Sequence, residues 1–265
     1  LEKELNARLF VRNTKEVKLS DDGKDLYRYA RQMIDLQKKI EERFETGKEE
    51  SKHLITIAAS TIPAQYILPK ILMKFNERYP KEQVKLLETD SSQVVTQIID
   101  HMVDVGFTGT VLEKKHCKYI PFYKDELVVI TPNTEKYQKL LEDMPDDISW
   151  IGGEHLIMRE EGSGTRKEAG KQLRAAGINL DKLKIIASIE NQETIKKSVK
   201  QGMGISVISR LAAEDEVKYG DLLAFSIPKA DQGRDINLVY NKNYQMSKST
   251  ERFVKIVKEV YGIEE

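Results

Sequence analysis

From residue 54 onward, short apolar runs alternate with amphipathic stretches, and this alternation restricts the chain to few folds. Leu54-Ile55-Thr56-Ile57-Ala58-Ala59 is too short for an ordinary helix and is rich in β-branched residues, so it predicts a buried strand. Ser60-Thr61-Ile62-Pro63 then opens a helix, and Ile67, Ile71, Phe75 and Tyr79 continue its apolar face. Pro69 has no N–H to donate, so it is expected to kink or restart that helix. A second strand is expected over 84–88. After it, Asp90-Ser91-Ser92 caps a helix that turns Val94, Val95, Ile98 and Met102 inward. A third strand is expected over 104–108. Strands joined through helices run parallel, and a parallel sheet needs both faces covered.

The same pattern resumes further on. Strands are expected over 126–131, ending at Pro132-Asn133, and over 155–158, 183–187, 205–208 and 236–240. Helices are expected over 165–176 and 192–201, and a final helix carries Phe253, Val257, Val260 and Tyr261. A length of 265 residues with 40% hydrophobic residues suits about two units, or one domain with two lobes. The sequence has no internal repeat and no low-complexity tract.

Ahead of this α/β body lies a different kind of segment. Leu9-Phe10-Val11-Arg12 and Val17-Lys18-Leu19 read as two short strands around an Asn13-Thr14-Lys15 turn, in a stretch where Arg8, Arg12, Lys15 and Lys18 face one acid, Glu16. Ser20-Asp21-Asp22 is a helix start, and helical spacing continues to about residue 46. Leu26, Ala30, Met33, Gln37, Ile40 and Phe44 recur by fours and threes, a heptad seam with one polar interruption. A single helix cannot bury such a stripe against itself. A partner helix would cover it, and packing on the chain's own body is the alternative. Residues 47–52 form a polar hinge.

Composition excludes several classes. No run of 18 apolar residues occurs, so no membrane span is expected. The charged start, Leu1-Glu2-Lys3-Glu4-Leu5, has no apolar core of the kind a signal peptide carries, and it lacks an initiator Met. A soluble, cytoplasmic protein is expected. Cys117 is the one cysteine, which rules out an intramolecular disulfide and a multi-cysteine zinc site. The histidines (His53, His101, His116 and His155) show no metal-ligand spacing, so no metal and no cofactor are expected. No Gly-x-Ser-x-Gly elbow or acid/base pair suggests an enzyme. Lys and Arg total 43 against 43 Asp and Glu. That balance argues against a strongly basic nucleic-acid binder, although a net sum hides where the charges sit.

The richest stretch for chemistry is Arg159-Glu160-Glu161-Gly162-Ser163-Gly164-Thr165-Arg166, which follows a strand and opens a helix. Glycines there let the backbone approach a ligand. Ser163 and Thr165 add hydroxyls, and free N–H groups at a helix start attract anions. Arg159 and Arg166 offer charge-assisted hydrogen bonds, while Glu160 and Glu161 are expected to point away from any anion. A plain N-cap with a glycine turn is the alternative reading. It is not a phosphate-binding P-loop, because the Gly-Lys-Ser/Thr ending is absent. Ser60 and Thr61, Thr108-Gly109-Thr110 and Asn191-Gln192 occupy comparable strand-end or helix-start positions. In open α/β sheets ligands bind outside the carboxyl ends of strands, so these four clusters are candidates to converge on one interlobe cleft.

The order of parts resembles a LysR-type transcriptional regulator. Residues 1–12 resemble the end of that family's recognition helix running into its wing, and 17–24 resemble the wing's return strand and the start of its linker helix. Leu68-Pro69, Phe75 and Arg78-Tyr79-Pro80 resemble the first effector-domain helix. Residues 199–208 resemble the helix–glycine–strand element of the second lobe. The resemblance implies an α/β fold: a two-lobed effector-binding domain resembling type 2 periplasmic binding proteins, preceded by a winged-helix remnant and a long linker helix. The implied divisions are a winged helix-turn-helix remnant at 1–19, a linker and dimerisation helix with hinge at 20–52, effector lobe I at 53–125 and 232–265, and effector lobe II at 126–231.

On this resemblance the effector sits between the lobes, with Ser60, Thr61, Thr108, Arg159, Ser163, Gly164, Thr165, Asn191 and Gln192 as its candidate contacts. The 159–166 run is similar to that of sulfur-metabolism and carbon-fixation regulators in the family. It implies a small anionic effector: an oxyanion, a phosphorylated metabolite or a carboxylate. The partners implied are DNA in the full-length protein and a second copy, as homodimer or homotetramer. The family's first helices and most of its recognition helix would precede Leu1, so only Arg12 and Lys15 of the wing are candidate DNA-phosphate contacts, which position without reading sequence. A stand-alone cytoplasmic anion- or solute-binding protein on the same fold is the alternative, but it would need neither the heptad helix nor the basic turn. Residues 1–52 carry one more basic than acidic residue and 53–265 one more acidic than basic. Neutrality therefore describes a sensor body joined to a balanced helix.

Overall fold

A computed structural model describes residues 1–12, 16–44, 54–143, 147–228 and 233–263. The Asn13-Thr14-Lys15 turn, the whole 47–52 hinge and the side chains of Arg12 and Phe44 lie outside the described residues. The chain begins with a single helical turn, α1 (Glu2–Leu5), then β1 (Phe10–Arg12) and β2 (Val17–Leu19), which pair antiparallel. A long helix, α2 (Asp21–Phe44), follows. Ser20 caps it by accepting from the Gly23 N–H at 2.9 Å. Gly23 lies against the Leu9 carbonyl so closely that a Cβ there would sit 2.0 Å from the oxygen. On α2 the middle of the apolar stripe is uncovered within one chain: Met33 is 73% exposed and Ile40 52%.

The body starts with β3 (Leu54–Ala59), whose inner residues are buried. The chain continues through a π-helical turn at Pro63–Ile67 into α3 (Leu68–Arg78), which restarts with Pro69 in its first turn, where a missing N–H costs nothing. Then come β4 (Gln83–Glu88), α4 (Ser91–Ile99), β5 (Val105–Thr108) and β6 (Cys117–Asp125). The second half holds β7 (Leu127–Pro132), α5 (Glu135–Asp143), β8 (His155–Arg159), α6 (Gly164–Ala175), β9 (Lys184–Ile189), α7 (Gln192–Lys200), β10 (Ile205–Ser209), α8 (Arg210–Lys218) and β11 (Leu222–Ser226). β12 (Arg234–Asn241) and α9 (Lys248–Tyr261) close the chain.

These strands form two five-stranded sheets. The first has the order β4-β3-β5-β12-β6 and the second β11-β7-β10-β8-β9. β3 runs parallel to β4 and β5, while β12 joins them antiparallel. In the second sheet β10, β8 and β9 are parallel, and β7 is antiparallel to β10 and β11. The chain leaves the first sheet at Glu126 and returns to it between Ser226 and Arg234. One apolar cluster is continuous across both sheets, from Ile62, Ile71 and Phe75 to Ile130, Ile157 and Ile195. At its centre Phe75, Phe107 and Phe253 meet edge-on, with centroids 5.2 Å apart for Phe75–Phe253 and 6.2 Å for Phe107–Phe253.

Besides α5, α8 and β11, which form where no element was expected, Met102 and β6 differ from expectation. Met102 is not turned inward but is exposed, because α4 ends at Ile99 and His101 takes a left-handed φ of 57° that swings the chain out. β6 was unexpected because Pro121 argues against a strand interior. It is tolerated because β6 is an edge strand, with a register shift where Pro121 faces Asn237.

Candidate functional site

Three segments leave a strand and enter a helix around one cleft between the sheets. Ser60, Thr61 and Ile62 follow β3. Thr89, Asp90 and Ser91 follow β4. Arg159, Glu160, Ser163, Gly164 and Thr165 connect β8 to α6. With Arg234 of β12 they line about 320 Å³ of empty space, part of it open to solvent.

Each helix start has its own chemistry. Asp90 Oδ1 accepts from Ser92 N–H at 2.8 Å and Gln93 N–H at 2.9 Å, so α4's positive end is partly satisfied by its own carboxylate. At α6 the cap is the neutral Ser163, whose Oγ accepts from Arg166 N–H at 3.4 Å. The N–H groups of Gly164 and Thr165 precede any helical carbonyl that could bind them, and they carry the positive end of the helix dipole. Gly164 also sets how closely the lobes approach. A Cβ there would lie 2.7 Å from Thr110 Oγ1 and 3.3 Å from Ser91 Oγ, both in the first lobe.

Two arginines face this space. Arg159 is 5% exposed, and its Nε and Nη2 donate to Glu160 Oε2 at 2.8 Å and Oε1 at 3.0 Å. Glu160 therefore does not point away from the cleft as the sequence led us to expect; it lines it. Arg166 instead supports the strand ends, donating to the Arg159 carbonyl at 2.9 Å and to Ser188 Oγ at 3.2 Å. Arg234 donates through Nε and Nη2 to Asp125 Oδ2 at 2.9 and 2.8 Å, and Ser209 donates to Asp125 Oδ1. Burial pushes the Asp125 carboxyl up, and its partners only partly offset that. Gly233, at a φ of 79°, passes so close to the Asp125 carbonyl that a Cβ would come within 2.6 Å of the oxygen. Beside it Arg210 forks onto Glu126 at 2.6 and 2.9 Å and holds that carboxyl below its ordinary range. Both pairs sit where the chain crosses between the sheets.

Of the residues singled out in the sequence, Ser60, Thr61, Arg159, Ser163, Gly164 and Thr165 meet in this cleft. Thr108, Asn191 and Gln192 lie outside its lining. Thr108 is buried and bonds the Thr110 backbone, and Asn191 caps α7 by accepting from Thr194 N–H at 2.9 Å. Gln192 is 2% exposed, and neither end of its amide has a hydrogen-bond partner among the described residues. Sequence reasoning missed Thr89, Asp90, Ser91 and Arg234 as lining residues. Asp90-Ser91 was legible as a helix cap, and its position at a strand-to-helix junction is the same signal that placed Ser60-Thr61 in the cleft. No histidine lines the cleft among the described residues, and no group there could hold a metal ion. The buried Cys117 thiol is pushed up to about 11 by burial, which keeps it protonated.

Residues 48–262 match the family model for the LysR substrate binding domain. The chain belongs to the LysR family of transcriptional regulators. Among curated relatives, the uncharacterized HTH-type transcriptional regulator YeiE of Escherichia coli K12 is 29% identical to the LysR chain over 254 residues, covering 96% of this chain and 83% of the relative. A probable RuBisCO transcriptional regulator of Porphyra purpurea is 26% identical over 256 residues, covering 96% and 80%. Among solved structures, the regulatory domain of CcmR from Synechocystis PCC6803 in complex with 2-PG has a TM-score of 0.69 at 25% identity, covering 80% of this chain and 98% of that one. The two-sheet body is thus the effector domain of this family, with its periplasmic-binding-protein-like fold. Among the described residues, no helix is long and apolar enough to cross a membrane.

Proposed function

We propose that this LysR chain is the sensing and dimer-forming part of a cytoplasmic transcription regulator whose interlobe cleft binds a small anion: an oxyanion, a phosphorylated metabolite or a carboxylate. The observation that carries this reading is the meeting of hydroxyls and helix starts from both sheets around the buried Arg159. Ser60 and Thr61 on one side and Ser163, Gly164 and Thr165 on the other would hold the anion, with Arg159 supplying charge. The likeness to a regulatory domain in complex with 2-PG supports a small ligand for this body. Thr108, Asn191 and Gln192 lie outside the cleft lining, so the proposed contacts do not depend on them.

The working divisions are 1–19 as a winged-helix remnant, 20–52 as linker and hinge, 53–125 with 232–265 as lobe I, and 126–231 as lobe II. A ligand held by both lobes favours one arrangement of them, and it shifts the equilibrium only by its difference in affinity for the two states. The uncovered stripe on α2 supports transmission through a paired helix, and it favours a regulator over a stand-alone solute receptor. In the complete regulator Arg12 and Lys15 would touch DNA phosphate. The chain's part in this is binding, not turnover.

Thermal unfolding in sulfate or phosphate, with chloride at matched ionic strength as control, tests the reading. An anion at a hundred times its Kd stabilises the fold by about 2.7 kcal/mol. For a body of this size that raises Tm by roughly 5–10 °C. Thr165→Val combined with Arg159→Ala, which removes a lining hydroxyl and the lining cation together, should abolish the shift. An unchanged shift in that variant rejects the site.

A further inference from the structure

We infer that Glu160 is a built-in carboxylate occupant of the anion seat, so that effector binding is the exchange of one anionic group for another on Arg159. The inference rests on the anion-binding reading above and adds how that site is regulated. Arg159 and Arg234 are the two guanidinium groups among the described lining residues. Arg234 is committed to Asp125, a carboxylate wholly buried between the sheets. Arg159 is therefore the cation a ligand can reach, and its fork is already filled on two donors by Glu160.

The two partners differ in their freedom to leave. The Arg159 side chain is 6% exposed and is fixed at the end of β8, whereas that of Glu160 is 33% exposed. Glu160 can turn into water without being buried elsewhere, and the vacated fork then presents two parallel N–H groups. Carboxylates, sulfate and phosphate all offer two oxygens at the matching spacing. The same carboxylate opposes any anion that enters without displacing it, because like charges a few ångströms apart repel strongly in a partly closed cleft. Ligand-free protein is thus held closed to anions by its own side chain. A fork closed roughly nine-tenths of the time weakens apparent affinity about tenfold.

The experiment is calorimetric titration of the full chain with inorganic sulfate, inorganic phosphate and acetate, at ionic strength fixed with chloride. Glu160→Gln removes the charge and keeps the shape, and Glu160→Ala leaves nothing to return to the fork. Each should bind at least one of these anions about tenfold more tightly than the unmodified chain. Glu161→Gln removes the same charge from the adjacent position, where the side chain is 93% exposed and sits 3.7 Å from Arg166. It should change affinity less than twofold, which separates occupancy of the fork from a general change in net charge. If the unmodified chain binds an anion and both Glu160 variants bind it no better, the occupant role is overturned and the anion site stands. An equal gain in Glu161→Gln also overturns it. If no variant binds any of the three anions, the occupant role and the anion site fail together.

Discussion

Replacing Arg234 with methionine removes the cation from a carboxylate that is wholly buried where the chain crosses between the sheets. Arg234 and Asp125 have side-chain exposures of 6% and 0%, and two guanidinium nitrogens reach Oδ2 at 2.9 and 2.8 Å. Methionine matches the stem and fills most of the volume, so cavity formation is a minor part of the loss. The dominant effect is a buried carboxylate left, among the described residues, with Ser209 as its side-chain partner, and breaking such a pair costs about 3–5 kcal/mol. In a body of this size that lowers Tm by roughly 6–20 °C. The pH dependence has a definite sign. Burial already pushes Asp125 up, so the folded state binds its proton more tightly than the unfolded chain does. Loss of Arg234 pushes it further, and acid relieves the strain by neutralising the group. The variant's deficit should therefore shrink as pH falls from 8 toward 5. Asp125→Asn combined with Arg234→Met should be less destabilised than Arg234→Met alone. Urea unfolding followed by circular dichroism at several pH values measures all three. A deficit below about 1 kcal/mol, or one that does not change with pH, refutes the reasoning.

Gly164→Ala places a Cβ 2.7 Å from Thr110 Oγ1, so it should cost about 1–3 kcal/mol or force the lobes apart. Small-angle scattering should register the second outcome as an increased radius. Met33→Glu with Ile40→Glu puts charges on the open stripe of α2, and the mass in solution by light scattering should fall. A mass that holds would move the interface to the α/β body. Glu126 is held low chiefly by the Arg210 fork, so its contribution to stability is present above the ordinary glutamate range near 4.5 and is lost as pH falls through its depressed value. Arg210→Gln should flatten the fall in urea midpoint between pH 6 and 3, and a slope equal to the unmodified chain's would exclude that role.

Much of the body was legible because its strands are short β-branched runs between amphipathic helices. Leu54–Ala59, Ile205–Ser209 and the Pro69 restart follow from local rules alone. β6 was hidden because Pro121 is acceptable only at an edge, and edge position is a property of the sheet rather than of the segment. β11 and α8 were also missed: Leu222–Ser226 becomes a strand by pairing with β7. Six residues of the cleft were legible as strand-to-helix junctions, since caps and glycines mark where backbone donors are free. Arg234 carries no local signal; it reaches the cleft because the chain returns to the first sheet there. The orientation of Glu160 was equally invisible, because whether a carboxylate avoids an anion seat or fills it depends on how tightly Arg159 is enclosed.

The central claim is that a small anion seats between the two sheets of this LysR chain. The most direct measurement is a crystal structure grown with selenate, whose selenium marks its position by anomalous scattering. The expected peak lies within hydrogen-bonding distance of the Thr165 N–H and the Ser60 or Thr61 hydroxyl, with Glu160 turned off the Arg159 fork. Selenate found only elsewhere, with Glu160 still on Arg159, would contradict it.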